Sequence, residues 1–203
     1  PLDILLGENS HTIIISGPNA GGKTVALKTV GLLVLMARSG LHIPASPLSQ
    51  IGSIDRVFAV IGDQQSIEAD LSTFSSHLLS LKEIDEQAGR QSLVLVDEIG
   101  AGTDPEEGMA LATALLKKLT AAGALSMVTT HHSVLKTFAY HNEKTANASM
   151  EFDLTTLKPT YRFRIGIPGS SYAFEIARRI GVSEQLIAES RSLVGEQKDR
   201  LEG

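Results

Sequence analysis

Eight consecutive residues, Gly17-Pro18-Asn19-Ala20-Gly21-Gly22-Lys23-Thr24, have the types and spacing needed to hold phosphate. The pattern is G-x-x-x-x-G-K-[ST], and each part has a mechanical reason. Glycines let the backbone fold into a concave nest whose N–H groups point at phosphate oxygens. The apolar helix that follows from Val25 adds the positive end of its dipole to the same spot. Lys23 then reaches the β- and γ-phosphates, and the Thr24 hydroxyl binds Mg²⁺. A Gly-rich turn with no ligand could carry some of these residues. It would not require the strand Thr12-Ile13-Ile14-Ile15-Ser16 before it and the helix after it. Residues 17–25 therefore read as the phosphate site for ATP or ADP.

A second set of groups lies far along the chain. Asp97 and Glu98 end the apolar run Ser92-Leu93-Val94-Leu95-Val96, which is a natural place for a second strand of a phosphate site. Asp97 is expected to hold Mg²⁺ through water as the partner of Thr24. Glu98 is better placed to polarise an attacking water. An adjacent Asp-Glu at a strand end also fits a plain solvated turn, and the phosphate loop is what favours the chemical reading. His131 follows the β-run 125–130 and would reach the same sheet edge, where ligands bind in open α/β sheets. There it would sense the γ-phosphate, although a histidine that merely starts a helix fits the same position. His131 and His132 make a poor metal pair, because helical ligands want i, i+4 spacing. His11, His42, His77 and His141 are scattered and receive no role. Ser72 and Asp104 both suit helix N-caps, which is enough to explain them locally.

Strand-like and helix-like stretches alternate along the chain. That implies an α/β fold with a mostly parallel sheet and helices on both faces. The stretch 25–37 is apolar almost all round, so it is expected to be a core helix packed on several sides. A helix is expected to open at Ser72 and run to about Gln87, with Leu78, Leu81 and Ile84 on its buried face. Residues 103–107 form a dense helix start, with candidate caps, Pro105 at the first helical position and acids in the first turn. The late stretches 144–153 and 158–165 alternate like a hairpin that extends one edge. A C-terminal helical part follows from about residue 171. All 203 residues read as one domain with no internal repeat.

Composition narrows the partners. Aromatic residues make up 4% with no Trp, which argues against a platform for stacking single-stranded bases. The net charge of −5 leaves no basic footprint of a DNA-binding surface. With no Cys, disulfides and Cys-ligated zinc are excluded, and a reducing cytoplasm suits the chain. No apolar stretch is long enough for a membrane span. The start at Pro1 without Met suggests an excised domain.

Taken together, these residues resemble the MutS family of ABC-type ATPases, a P-loop NTPase group. The matching pieces are residues 17–24, Gly40-Leu-His-Ile-Pro-Ala45, Leu71-Ser-Thr-Phe74, Asp97-Glu-Ile-Gly-Ala-Gly-Thr103 and Thr129-Thr-His131. Ile61-Gly-Asp-Gln-Gln-Ser-Ile-Glu68, Gly102-Thr-Asp-Pro105 and 147–153 point to the second bacterial branch, which does not repair mismatches. Mismatch-repair members carry Ser-Thr where this chain has Asp104-Pro105, and a His where it has Ser149. The resemblance implies a homodimer with composite nucleotide sites, in which Ser72 contacts the γ-phosphate bound on the other copy. It implies that Asp104 lies at the dimer seam, that Gln64 or Gln65 couples to the metal, and that His131 is a switch. It further implies a cytoplasmic bacterial protein that grips branched DNA or ribosomes through domains outside this chain, with any nuclease module also outside it.

Overall fold

The computed structural model describes residues 2–18, 21–62 and 70–202, with backbone alone at 70–75 and 195–202. Strand β1 (Thr12–Ser16) leads through the glycine-rich loop into α1 (Lys23–Arg38). There follow β2 (Arg56–Val60), α2 (Asp70–Gln87), β3 (Ser92–Val96), α3 (Pro105–Ala121), β4 (Leu125–Thr129) and α4 (Ser133–His141). The chain ends with β5 (Thr145–Asp153), β6 (Lys158–Ile165), α5 (Ala173–Arg179) and α6 (Glu184–Glu202).

The strands form one six-stranded sheet in the order β2-β3-β4-β1-β5-β6. The first five run parallel, and β6 is antiparallel to β5 at the edge, as the alternating hairpin pattern predicts. Strand β1 is central and buried along its whole length. Successive side chains of a strand point to opposite faces, so its continuous β-branched run feeds two cores. On one face Ile14, Val94, Val96 and Val128 meet Met109, Leu116, Leu135 and Ile84 from α3, α4 and α2. On the other, Ile13, Ile15, Leu93, Leu95 and Met127 meet Ala26, Leu27 and Val34 from α1. Because β1, β3 and β4 are parallel neighbours, their carboxyl ends converge on one edge. The phosphate loop, Asp97 and His131 all follow those ends.

Three local expectations change. Helix α1 is not packed all round: Val25, Leu32 and Leu35 are 54%, 59% and 47% exposed. It lies with one stripe on the sheet, and within this chain nothing among the described residues covers the opposite face. Residues Asp70 and Leu71 are already helical, so Ser72 falls in the first turn of α2 rather than at its N-cap. On the same helix Ile84 is buried while Leu78 is 37% exposed, because the packed stripe runs through Leu81 and Ile84 toward the α3 core. By contrast, α3 starts as its residues suggest. Asp104 Oδ1 accepts from the N–H groups of Glu106 at 3.0 Å and Glu107 at 3.3 Å, and Pro105 opens the helix.

Candidate nucleotide site

The first turn of α1 differs from that of α3 in a way that bears on binding. The N-cap of α1 is Gly22, at φ +90°, with no side-chain cap and no acid in the first turn. Glycine at this position has no side chain of its own to cap the first-turn N–H groups, and the positive end of the helix dipole favours an anion there. Gly17, at φ +134°, provides the matching turn at the strand end. Lys23 is buried, and its Nζ donates to the carbonyls of Gly17 at 2.8 Å and Pro18 at 3.0 Å. The ammonium is thus folded back across the loop it belongs to. Burial pulls its pKa below the ordinary lysine value; Glu98 and Asp97 oppose that shift, and Lys136 adds to it.

One residue further on, Thr24 Oγ1 donates to Asp97 Oδ2 at 2.6 Å. The other oxygen, Asp97 Oδ1, accepts from the Thr129 hydroxyl at the end of β4. Thr129 Oγ1 in turn accepts the N–H of Glu98 at 2.7 Å. This chain of bonds locks the ends of β3 and β4 to the start of α1. Glu98 itself sits at φ +49°, a left-handed backbone that a side chain rarely adopts. The N–H groups on either side bond to the ends of the neighbouring strands: Asp97 N–H donates to Val60 O at 2.8 Å and Ile99 N–H to Thr129 O at 3.1 Å. Strand β3 has ended at Val96, and the turn through Glu98 is thus tied to the neighbouring strands on both sides. Its carboxylate is half-exposed and lies 3.4 Å from His131 Nε2. Burial and the nearby Lys23 charge both pull the His131 pKa below its ordinary value. At neutral pH this contact is therefore between a neutral imidazole and a carboxylate, not an ion pair.

The structure thus brings Gly17, Pro18, Gly21, Gly22, Lys23, Thr24, Asp97, Glu98 and His131 to one sheet edge. Val25 lies at the rim, with its side chain more than half exposed. Asn19, Ala20, Gln64 and Gln65 lie outside the described residues, as does the side chain of Ser72. Asp104 spends one carboxylate oxygen on capping α3. A hydroxyl bonded to a carboxylate, Thr24 to Asp97, is a hard-oxygen pair that suits Mg²⁺.

Two residues escape sequence reasoning. Thr129, as the shared partner of Asp97 and Glu98, is visible only once β3 and β4 are known to be neighbours. Tyr161 is the other. An irregularity in the β5–β6 ladder between Met150 and Phe152 leaves Tyr161 at φ +57°. Its ring packs on the phosphate loop so closely that a Cβ on Gly22 would stand 3.0 Å from Cδ1. Even so, Tyr161 remains 54% exposed. A left-handed tyrosine inside an alternating strand leaves no signature in sequence.

Comparison with known proteins bears on the same site. The family model of MutS domain V matches residues 13–198. Endonuclease MutS2 of Pelotomaculum thermopropionicum is 59% identical over 194 residues, covering 96% of this chain and 25% of that protein. The protein of the same name from Thermomicrobium roseum is 55% identical over 204 residues, covering 99% and 26%. That from Clostridium botulinum strain Alaska E43 is 53% identical over 203 residues, covering 100% and 26%. The chain spans about a quarter of the length of the curated relatives it matches. A domain match that takes in the phosphate loop, the Asp97–Glu98 strand end and the late hairpin, on a sheet of this order, means that the chain belongs to the MutS family as its domain V, an ATPase domain of P-loop fold.

Proposed function

We propose that this domain binds ATP with Mg²⁺ and hydrolyses it, in a site that a second copy of the chain completes. The observation that carries the reading is the bonded run Thr24–Asp97–Thr129–Glu98, which sets a hydroxyl and two carboxylates beside a helix start whose N-cap is a glycine. Thr24 and Asp97 would hold the Mg²⁺, with Gln64 or Gln65 as a further candidate; the ion supplies charge neutralisation for the β- and γ-phosphates. Lys23 exchanges its two backbone carbonyls for phosphate oxygens, and N–H groups within residues 17–25, where Pro18 has none to give, hold the same oxygens. Glu98, half-exposed at the strand end, takes a proton from water attacking the γ-phosphorus. His131, neutral beside it, keeps Glu98 oriented and is close enough to register whether a γ-phosphate is present. The exposed face of Tyr161 next to Gly22 offers the base a stacking surface beyond the phosphates. This supports an answer to how adenine is held where Ser149 replaces the expected histidine.

The partner copy is expected to contribute Ser72, from the first turn of α2, to the γ-phosphate, with Asp104 near the seam. In the longer protein, the cycle would drive a clamp on branched DNA or ribosomes, in the bacterial cytoplasm, through parts outside this chain. Two measurements test the enzymatic core. Turnover per chain should rise with protein concentration, because each site needs a second copy. Glu98→Gln should lower turnover by about 10²–10⁴-fold while retaining ATP and the dimer. Constant turnover on dilution to monomer removes the shared site. A Glu98→Gln variant with parental turnover makes the domain a nucleotide-gated switch whose hydrolysis does not depend on this base.

A further inference from the structure

Segment 166–172 leaves β6 and crosses the carboxyl end of β1 before the chain enters α5. Gly169 is seated on the root of the phosphate loop. Its N–H donates to Ser16 Oγ at 2.8 Å. A Cβ at this position would stand 2.7 Å from the Ser16 carbonyl carbon and 2.8 Å from Gly17 Cα, so only glycine fits. The carbonyl of the same residue accepts from Lys136 Nζ at 2.7 Å.

Lys136 lies in the first turns of α4, five residues after His131. The Asn147 side chain donates to its carbonyl at 2.9 Å, tying this turn to β5. Lys136 is half-buried, and among the described residues no carboxylate lies within ion-pairing distance of it. Burial lowers its pKa, and its charge in turn lowers that of Lys23. Two ammonium groups therefore share one electrostatic neighbourhood at the phosphate loop. A half-buried cation with no counter-charge is an expensive feature unless an anion arrives nearby.

We propose that Lys136 is a positioning residue for the nucleotide, clamping segment 166–172 onto Ser16–Gly17 and so linking bound phosphate to the start of α5. The proposal rests on the nucleotide-site reading above. Phosphate drawn into the loop restrains Gly17, Gly17 bears on Gly169, and Gly169 is the residue that Lys136 holds. A lysine serving only as a generic tertiary contact would affect melting of the whole domain and leave the nucleotide dependence of this segment alone.

The test uses this chain with Lys136→Met and Lys136→Arg, titrated with MgADP by calorimetry and followed by amide hydrogen exchange over 166–172. Lys136→Met should bind MgADP about tenfold more weakly, at a melting midpoint near the parent's, and Lys136→Arg should restore most of the affinity. MgADP should slow exchange in 166–172 for the parent and Lys136→Arg but not for Lys136→Met. Parental affinity in Lys136→Met, or equal protection of its segment by MgADP, overturns the clamp. If the parent itself takes up no MgADP, the nucleotide site fails and the clamp with it; an indifferent Lys136→Met beside a binding parent removes the clamp alone. Should Lys136→Met not fold, Ser16→Ala takes the hydroxyl from the opposite side of the clamp, and the same two readouts decide.

Discussion

Lys23 keeps its charge against the cost of its own burial. Burial lowers its pKa, so between that lowered value and 10.5 the unfolded chain binds more protons than the folded one. Stability contributed at this residue therefore rises with pH across that window, and at neutral pH the charge opposes folding. Lys23→Met is expected to melt at or above the parent's midpoint at pH 7 and to gain nothing from MgADP. The parent should gain about 2.7 kcal/mol at a hundredfold excess over its Kd. Thermal melts with and without nucleotide check both arms, and a nucleotide-dependent shift surviving in Lys23→Met would remove the lysine from the site. Glu98 presents a related trade. Its left-handed backbone is strained by about 1 kcal/mol or more, and its exposed carboxylate packs little, so Glu98→Gly should raise the midpoint by about 2–4 °C and abolish turnover. A lower midpoint would mean that the carboxylate, and not the twist, dominates the energetics there. Residue types and spacing make Lys23, Thr24, Asp97 and Glu98 readable as a cluster from sequence alone. Thr129 is not readable in this way, since a threonine ending a strand has no distinguishing feature until the adjacent strand is known. Tyr161 is hidden for a related reason: alternation only groups it with Phe163 and Ile165 on the apolar face of β6, and the irregularity that turns it onto Gly22 arises from pairing with β5.

Among the elements, the strands and α3 follow from local chemistry, and α1 does not. Continuous Ile and Val runs have one good solution, a strand covered on both faces, and the Asp104-Pro105-Glu106-Glu107 start satisfies its own N–H groups. The apolar run of α1 has two solutions that sequence cannot separate: burial on all sides, or one face on this sheet and the other left for something outside the chain. Among the described residues, one face lies on the sheet and the other is exposed. Leu27 is fully buried, whereas Leu32 is 59% exposed. Leu27→Ala should therefore destabilise by about 2–5 kcal/mol, and Leu32→Glu by no more than about 0.5 kcal/mol, in denaturant titrations of the isolated chain. A large loss from Leu32→Glu would mean that α1 is covered in solution, by a second copy or by residues outside the described set. Helix α2 teaches a smaller lesson. Ser72 has the chemistry of a cap, yet Asp70 and Leu71 are helical before it, because a serine tolerated in a first turn looks the same in sequence as one that ends a loop.

At the scale of the whole molecule, charge decides what this chain does alone. It carries 23 Asp and Glu against 18 Lys and Arg. The cations that cluster at the nucleotide site, Lys23 and Lys136, are turned inward to backbone carbonyls. Binding to a duplex depends on releasing counterions from phosphates by a surface array of Lys and Arg, and pairing two copies around nucleotide would double the negative charge without creating such an array. The isolated chain should therefore show no saturable binding to a short DNA duplex by fluorescence anisotropy up to about 10⁻⁴ M at physiological salt, the weak end of nonspecific affinity. The result should be the same with Mg²⁺ and ATP present. Binding in the micromolar range that weakens steeply with added salt would put a DNA contact on this domain itself.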